Sequence, residues 1–373
     1  MSERAHPIPS LDGLRCLAIL PVFLSHVLMA GLGQSFIPGN FGVTLFFFLS
    51  GYLITTLLRL EIEKTGAVDF RLFYLRRALR IFPTCYVVLA AAALYGWVKG
   101  TVDPWWLLGQ VLHLTNYQII RGGWLAPIAP NTDVFWSLAV EEHFYLVFPA
   151  LFVLLARLRS SGARVALLLA ACALVFLWRL TLTFVLDAHP NRTYLATDTR
   201  IDSILFGCVL ALWGNPALDR SRYAEHLWKR VFLPLAVLGL LASFVVGGRA
   251  FRETFGYTLQ GLCLFPIFIV AVRYSTWGPM RLLNWPPVMW IGTLSYAIYL
   301  VHPSAIHFAQ KLAGGSLLVL LVVATALTLA ASALLYRGIE VPAARLRRKF
   351  SVLHRAEQPR GATGSIEAPA VAR

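Results

Sequence analysis

Ten blocks of mainly apolar residues punctuate this chain, at 11–33, 41–60, 81–98, 134–157, 164–186, 199–214, 231–248, 257–273, 288–310 and 315–336. Each approaches the roughly 20 residues that an α-helix needs to cross a bilayer. The pattern predicts an all-α, polytopic membrane protein with about ten transmembrane helices. An eleventh stretch, 104–120, opens on Pro104, Trp105 and Trp106 and carries Gln110, His113, Thr115, Asn116 and Gln118. It is too polar for hydropathy to decide.

Composition agrees with a membrane chain. Of 373 residues, 58% are hydrophobic and 14% charged, with a mean hydropathy of +0.67, whereas soluble domains carry about 25% charged residues. The net charge of +15 would suggest nucleic acid in a soluble chain. Here it reads instead as the Lys and Arg excess of cytoplasmic loops. Because every added span flips all later loops, charge also tests the count. With ten spans, a cytoplasmic N-terminus and 104–120 left at the outer interface, the inner segments hold 24 of the 33 Lys and Arg. These are Arg4, the group from Arg59 to Arg80, Arg157 to Arg164, Arg220 to Arg230, Arg273 and Arg281, and eight from Arg337 onward. A crossing by 104–120 would move the 17 positives from Arg157 onward outside. Both termini are therefore expected in the cytoplasm.

Nothing at the N-terminus reads as a cleavable signal, since the first apolar run is long and keeps Asp12 and Arg15. Residues 8–340 read as one membrane-embedded domain and 341–373 as a basic, disordered tail, with no soluble second domain. The five cysteines lie inside apolar runs at irregular spacing. They suggest neither a disulfide framework nor a zinc site, and no metal is expected.

Ionisable residues inside spans cost on the order of 2.5 to 3.5 kcal/mol each and mark candidate sites. Arg15 and His26 are eleven residues apart, which returns to within about 20° of one helix face and separates them by about 16 Å along it. In the fourth span Glu141, Glu142 and His143 interrupt an apolar run. Counted from the helix ends, His26, Glu142 and His302 fall at one depth, roughly 10 to 12 Å below the outer surface. Arg76, Arg77 and Arg80 collect at the inner surface, where Arg77 and Arg80 share a face. With Arg15 above them they suit a phosphate or pyrophosphate group, although simple positive-inside anchoring explains them too. Asp198, Arg200 and Asp202 could orient a sugar hydroxyl. Glu141 also reads as a partner for a basic neighbour, and His302, before Pro303, as satisfying freed backbone carbonyls.

Six motifs occur in order: Leu11-Asp12-Gly13-Leu14-Arg15 with ten residues to His26; Phe48-Leu49-Ser50-Gly51-Tyr52; Arg77-x-x-Arg80-Ile81-x-Pro83; Trp136-Ser137-Leu138-x-x-Glu141-Glu142; Arg200-x-Asp202-x-x-x-Gly207; and Ser295-Tyr296-x-x-Tyr299-x-x-His302. In these the chain resembles the acyltransferase type 3 family, integral-membrane O-acyltransferases of lipopolysaccharide, peptidoglycan and exopolysaccharides, over about residues 8 to 340. The resemblance implies a multi-pass protein of the bacterial inner membrane. It implies acetyl-CoA or another acyl-CoA as cytoplasmic donor substrate, no permanently bound cofactor, and a carbohydrate or glycolipid acceptor, with membrane lipid around it and no nucleic-acid partner. Arg15 and His26 match the family's paired Arg and His, and Arg77 and Arg80 its Arg-x-x-Arg.

These readings assign His26, Glu142 and Arg15 to catalysis. Arg77, Arg80 and Arg76 are assigned to the donor phosphates, and Arg200, Asp202, Tyr299 and His302 to the acceptor. His26 would act as general base with Glu142 beside it, or form an acyl-histidine. The alternative from another class is a secondary transporter or flippase of a lipid-linked or anionic sugar, in which the same polar residues form a pathway. A polyprenyl-phosphate glycosyltransferase is a third.

Overall fold

The computed structural model of the protein describes residues 8–246 and 248–350. All regular structure among them is helical: α1 (Leu11–Leu32), α2 (Gly39–Thr65), α3 (Phe70–Val98), α4 (Pro104–Val111), α5 (Thr115–Gly122), α6 (Phe135–Ala156), α7 (Ser161–Val185), α8 (Pro190–Leu195), α9 (Thr197–Trp213), α10 (Glu225–Val245), α11 (Arg252–Arg273), α12 (Pro286–Leu312), α13 (Leu317–Leu335) and α14 (Val341–Arg348).

Among the described residues, eight helices are long and apolar enough to cross a membrane: α1, α2, α3, α6, α7, α10, α11, and α13 continued through a π-helical turn (Tyr336–Glu340) into α14. The two other expected spans, 199–214 and 288–310, form α9 and α12 in the interior. At 17 residues, about 26 Å at 1.5 Å per residue, α9 is shorter than those eight, yet it runs beside α2 from Arg200 on Thr44 near the start of α2 to Ala211 on Arg59 near its end. α12 has length to spare but carries Ser295, Tyr296, Tyr299, His302, His307 and Gln310. Arg200 and Asp202 of α9 and Ser295, Tyr299 and His302 of α12 are buried, where α9 packs against α2 and α7 and α12 against α1 and α13. Helices on the periphery do the opposite: Leu235 and Leu238 of α10 are 61% exposed and Leu334 of α13 is 73% exposed, a face that needs lipid rather than water.

The α2–α9 seam is set by two glycines. A Cβ on Gly51 would lie 1.9 Å from the Ile204 carbonyl oxygen, and one on Gly207 would lie 2.1 Å from that of Phe48. Only hydrogen fits, so backbone meets backbone. Segment 104–120 folds into α4 and α5, eight residues each, about 12 Å long and unable to cross. Trp105 is 80% exposed.

Two boundaries differ from the sequence expectation. α3 begins at Phe70 rather than near 81, because the Asp69 side chain caps it, accepting from the Leu72 amide at 2.9 Å, and Pro83 is accommodated inside the helix. Its arginines therefore stand on helical turns, not in a loop. The expected disordered tail starts as helix α14, packed on α3. Arg4 and the remainder of that tail, 351–373, lie outside the described residues.

Candidate active site

Two cavities approach each other through the bundle. The larger, about 630 Å³, opens at the end that carries the N-terminus of α1. Six arginines line it: Arg15 of α1, Arg77 and Arg80 of α3, and Arg345, Arg347 and Arg348 of α14. Two carboxylates, Glu141 and Glu340, face them. Arg15 is paired with Asp12 one turn earlier, at 2.6 Å, and the Arg77 guanidinium lies 3.7 Å from the centre of the Tyr145 ring. The Nε of Arg77 is buried without a partner. Among the described residues, Arg77, Arg80 and the three arginines of α14 have no carboxylate within ion-pair distance. Arg76 does not belong with them. One residue earlier on the helix, it is turned about 100° away and holds the buried Glu61 at 2.7 Å, tying α3 to α2.

The smaller cavity, about 250 Å³, is lined by His26, Ser25, Asn40, Asp133, Trp124, Trp136 and Tyr194 among others. His26 Nδ1 lies 2.8 Å from Nε2 of the fully buried His302. His302 Nδ1 faces the carbonyl oxygens of Tyr299 at 2.8 Å and Ile298 at 3.1 Å. Carbonyls only accept, so His302 carries its proton on Nδ1 and offers Nε2 as acceptor. His26 must then donate from Nδ1, which leaves the lone pair of its Nε2 free. The histidine that satisfies the freed carbonyls is thus also the one that fixes the tautomer of His26.

Val43 and Tyr299 line both cavities. The Tyr299 hydroxyl donates to the Val134 carbonyl at 3.0 Å and lies 2.6 Å from Ser137 Oγ, pinning α12 to the start of α6 at the wall between them.

The expected set is partly assembled and partly dispersed. His26, Tyr299 and His302 meet around the smaller cavity, and Arg15, Arg77 and Arg80 around the larger. Glu142 is not beside His26. It lies in the field of Arg77 and Glu141, with its Oε1 buried and unpartnered. The depth match holds for His302 but fails for Glu142, because α6 does not start level with α1's end: Asp133 and Val134, just before its first turn, border His26's cavity. Of the paired glutamates it is Glu141 that faces the basic cavity, accepting from Ser50 Oγ at 2.5 Å. Asp202 is locked to Arg179 at 2.7 Å, both fully buried, away from any acceptor path. Arg200 is also fully buried. It donates to Thr44 Oγ1 at 3.0 Å and lies 3.7 Å over Tyr257, with Tyr194 and Trp136 within 6.0 Å. It reaches the smaller cavity only through those last two rings.

Sequence reasoning missed Asp133 and the α14 arginines. Asp133 had a usable signal, a carboxylate directly before an apolar block; the arginines had none beyond their charge.

The chain matches the acyltransferase-domain family over residues 8–337, and it belongs to that family. It is 32% identical over 316 residues to YrhL of Bacillus subtilis, provisionally named a peptidoglycan O-acetyltransferase, covering 79% of this chain and 48% of that one. It is 30% identical over 319 residues to the peptidoglycan O-acetyltransferase OatA of Listeria monocytogenes, covering 79% and 49%. The chain spans about half the length of these curated relatives. No solved structure matches it.

Proposed function

We propose that this chain is a bacterial inner-membrane O-acyltransferase. It moves an acetyl or other short acyl group from cytoplasmic acyl-CoA to a hydroxyl of a cell-envelope carbohydrate, with peptidoglycan as the acceptor that the relatives' names favour. The observation that carries the reading is the pair of cavities that share Tyr299 and Val43, one cationic and one holding a histidine with a free Nε2.

The pyrophosphate and ribose phosphate of CoA suit the arginine-lined cavity, and the pantetheine arm would carry the thioester past Tyr299 toward His26. His26 Nε2 takes the proton of the acceptor hydroxyl. The oxygen attacks the thioester carbonyl, the C–S bond breaks, and the CoA thiolate takes a proton back from His26. Asp133, across the cavity, steadies the imidazolium. The aromatic walls Trp124, Trp136 and Tyr194 suit an apolar sugar face. In this reading Arg15 serves the donor phosphates rather than the proton transfer, and Glu141 replaces Glu142 as the glutamate near the donor.

The test is acyl transfer from labelled acetyl-CoA to a peptidoglycan fraction in membranes. His26→Ala should abolish transfer at unchanged protein abundance, and His302→Ala should slow it roughly 100-fold or more by freeing the His26 tautomer, with acyl-CoA affinity preserved in both. Normal transfer by His26→Ala would refute the assignment.

A further inference from the structure

Six guanidiniums converge on the larger cavity, and half of them come from an element that lies beyond the family match, which ends at residue 337. Arg345 and Arg348 are exposed at the rim of the cavity, and Arg347 is half-buried beneath them. Arg347 is within Coulombic reach of Arg77 and Arg15. None of the three α14 arginines has a carboxylate within ion-pair distance among the described residues. Packing α14 onto α3 therefore brings like charges together, with only Glu141 and Glu340 among the described lining residues to offset them. Like charges held close in a partly desolvated mouth are costly, and a polyanion seated between the two helices would relieve the arrangement.

We infer that α14 is the second jaw of the phosphate site, gripping the ribose-phosphate end of the donor while Arg15, Arg77 and Arg80 take the pyrophosphate. This rests on the acyl-CoA reading above and deepens it. The assignment of ends follows from direction. If the thioester points inward toward Tyr299 and His26, the nucleotide is left at the mouth, and α14 forms the mouth. The cavity's charge balance agrees: without α14, the three arginines Arg15, Arg77 and Arg80 face Glu141 and Glu340 and leave a slight positive excess. That is poorly matched to a ligand with a pyrophosphate and a further phosphate. With α14 the excess becomes large. The alternative source of the same phosphate chemistry is an anionic lipid headgroup at the membrane surface.

The experiment measures binding of CoA and of 3′-dephospho-CoA by calorimetry to the full chain in phosphatidylcholine nanodiscs. Wild type should bind CoA more tightly than dephospho-CoA. The R345Q/R347Q/R348Q variant should lose about tenfold or more in CoA affinity, the size of one charge-assisted contact, and should no longer discriminate between the two ligands. The corresponding triple Lys variant, which keeps the charge, should retain most of both and reports on folding. CoA affinity and discrimination unchanged in the Gln variant, with R77Q/R80Q abolishing binding, would overturn the role of α14 and leave the donor reading standing. Absence of CoA binding by wild type would overturn the donor reading and this inference with it. An effect of the Gln substitutions that emerges only when the nanodiscs contain phosphatidylglycerol would assign the arginines to lipid and likewise overturn it.

Discussion

Arg200 and Asp202 are two residues apart on α9, and on a helix that separation turns side chains about 200° apart. They do unlike things. Asp202 closes a dry ion pair with Arg179, while Arg200 is held by aromatic faces, over which a desolvated cation gains about 2 kcal/mol. Removing one member of a buried pair strands the other charge at a cost of about 3 to 5 kcal/mol, whereas replacing both with apolar groups is often neutral. Arg179→Met should therefore sharply lower the unfolding temperature in detergent, and Arg179→Met with Asp202→Leu should recover most of it. Failure of the double variant to recover would mean that Asp202 has a role outside the pair. The same residue-scale logic separates Arg76 from Arg77 and Arg80, and Glu142 from Glu141. Adjacency in sequence placed each pair in one site, and helical rotation divided them.

At the scale of elements, the α2–α9 seam depends on absent side chains. Gly207→Val would drive two methyl groups into the Phe48 carbonyl and should cost more than the roughly 1 to 3 kcal/mol of ordinary overpacking. Gly338→Ala, facing open space, should stay within about 0.5 kcal/mol of wild type. Folded yield after detergent extraction distinguishes the two. The α4–α5 corner carries a different liability. His113 sits there in a left-handed conformation, φ 56°, stacked on Phe82 at 5.4 Å. Burial, helped by His143, pushes its pKa down to about 4. The unfolded chain takes up this proton near 6.5 and the folded corner only near 4, so the unfolded state binds more protons in that window and stability falls as pH drops through it. Hydrogen exchange over 112–118 should rise from pH 7 to pH 5, relative to a His113→Leu variant, and parallel profiles would remove His113 as the cause.

For the whole molecule, the proposed function requires an orientation, with the arginine-lined mouth toward the acyl-CoA pool and His26's cavity toward the envelope. The chain's own five cysteines are all buried, so single introduced cysteines can report on it. In intact cells an impermeant maleimide should label Ser35→Cys and should reach Arg220→Cys only after permeabilisation; labelling of both from one side would refute the arrangement. Much of this architecture was legible in the sequence. Block length and apolarity gave the helices, rotation along one helix brought Arg77 and Arg80 to one face, and intramembrane cost singled out His26 and His302, with Tyr299 entering through the family motif. The depth count had placed both His302 and Glu142 level with His26, and that only His302 meets it was not legible, because helical period fixes which residues share a face on one helix but not how far one helix slides or rotates against the next. Nor was α14, whose basic sequence reads as solvated tail until α3 is folded beneath it. Local hydropathy and helical geometry therefore determined the elements and most of the chemistry they carry. Only tertiary packing, which sets the axial offset between helices and brings distant like charges into one mouth, decided which of those groups meet.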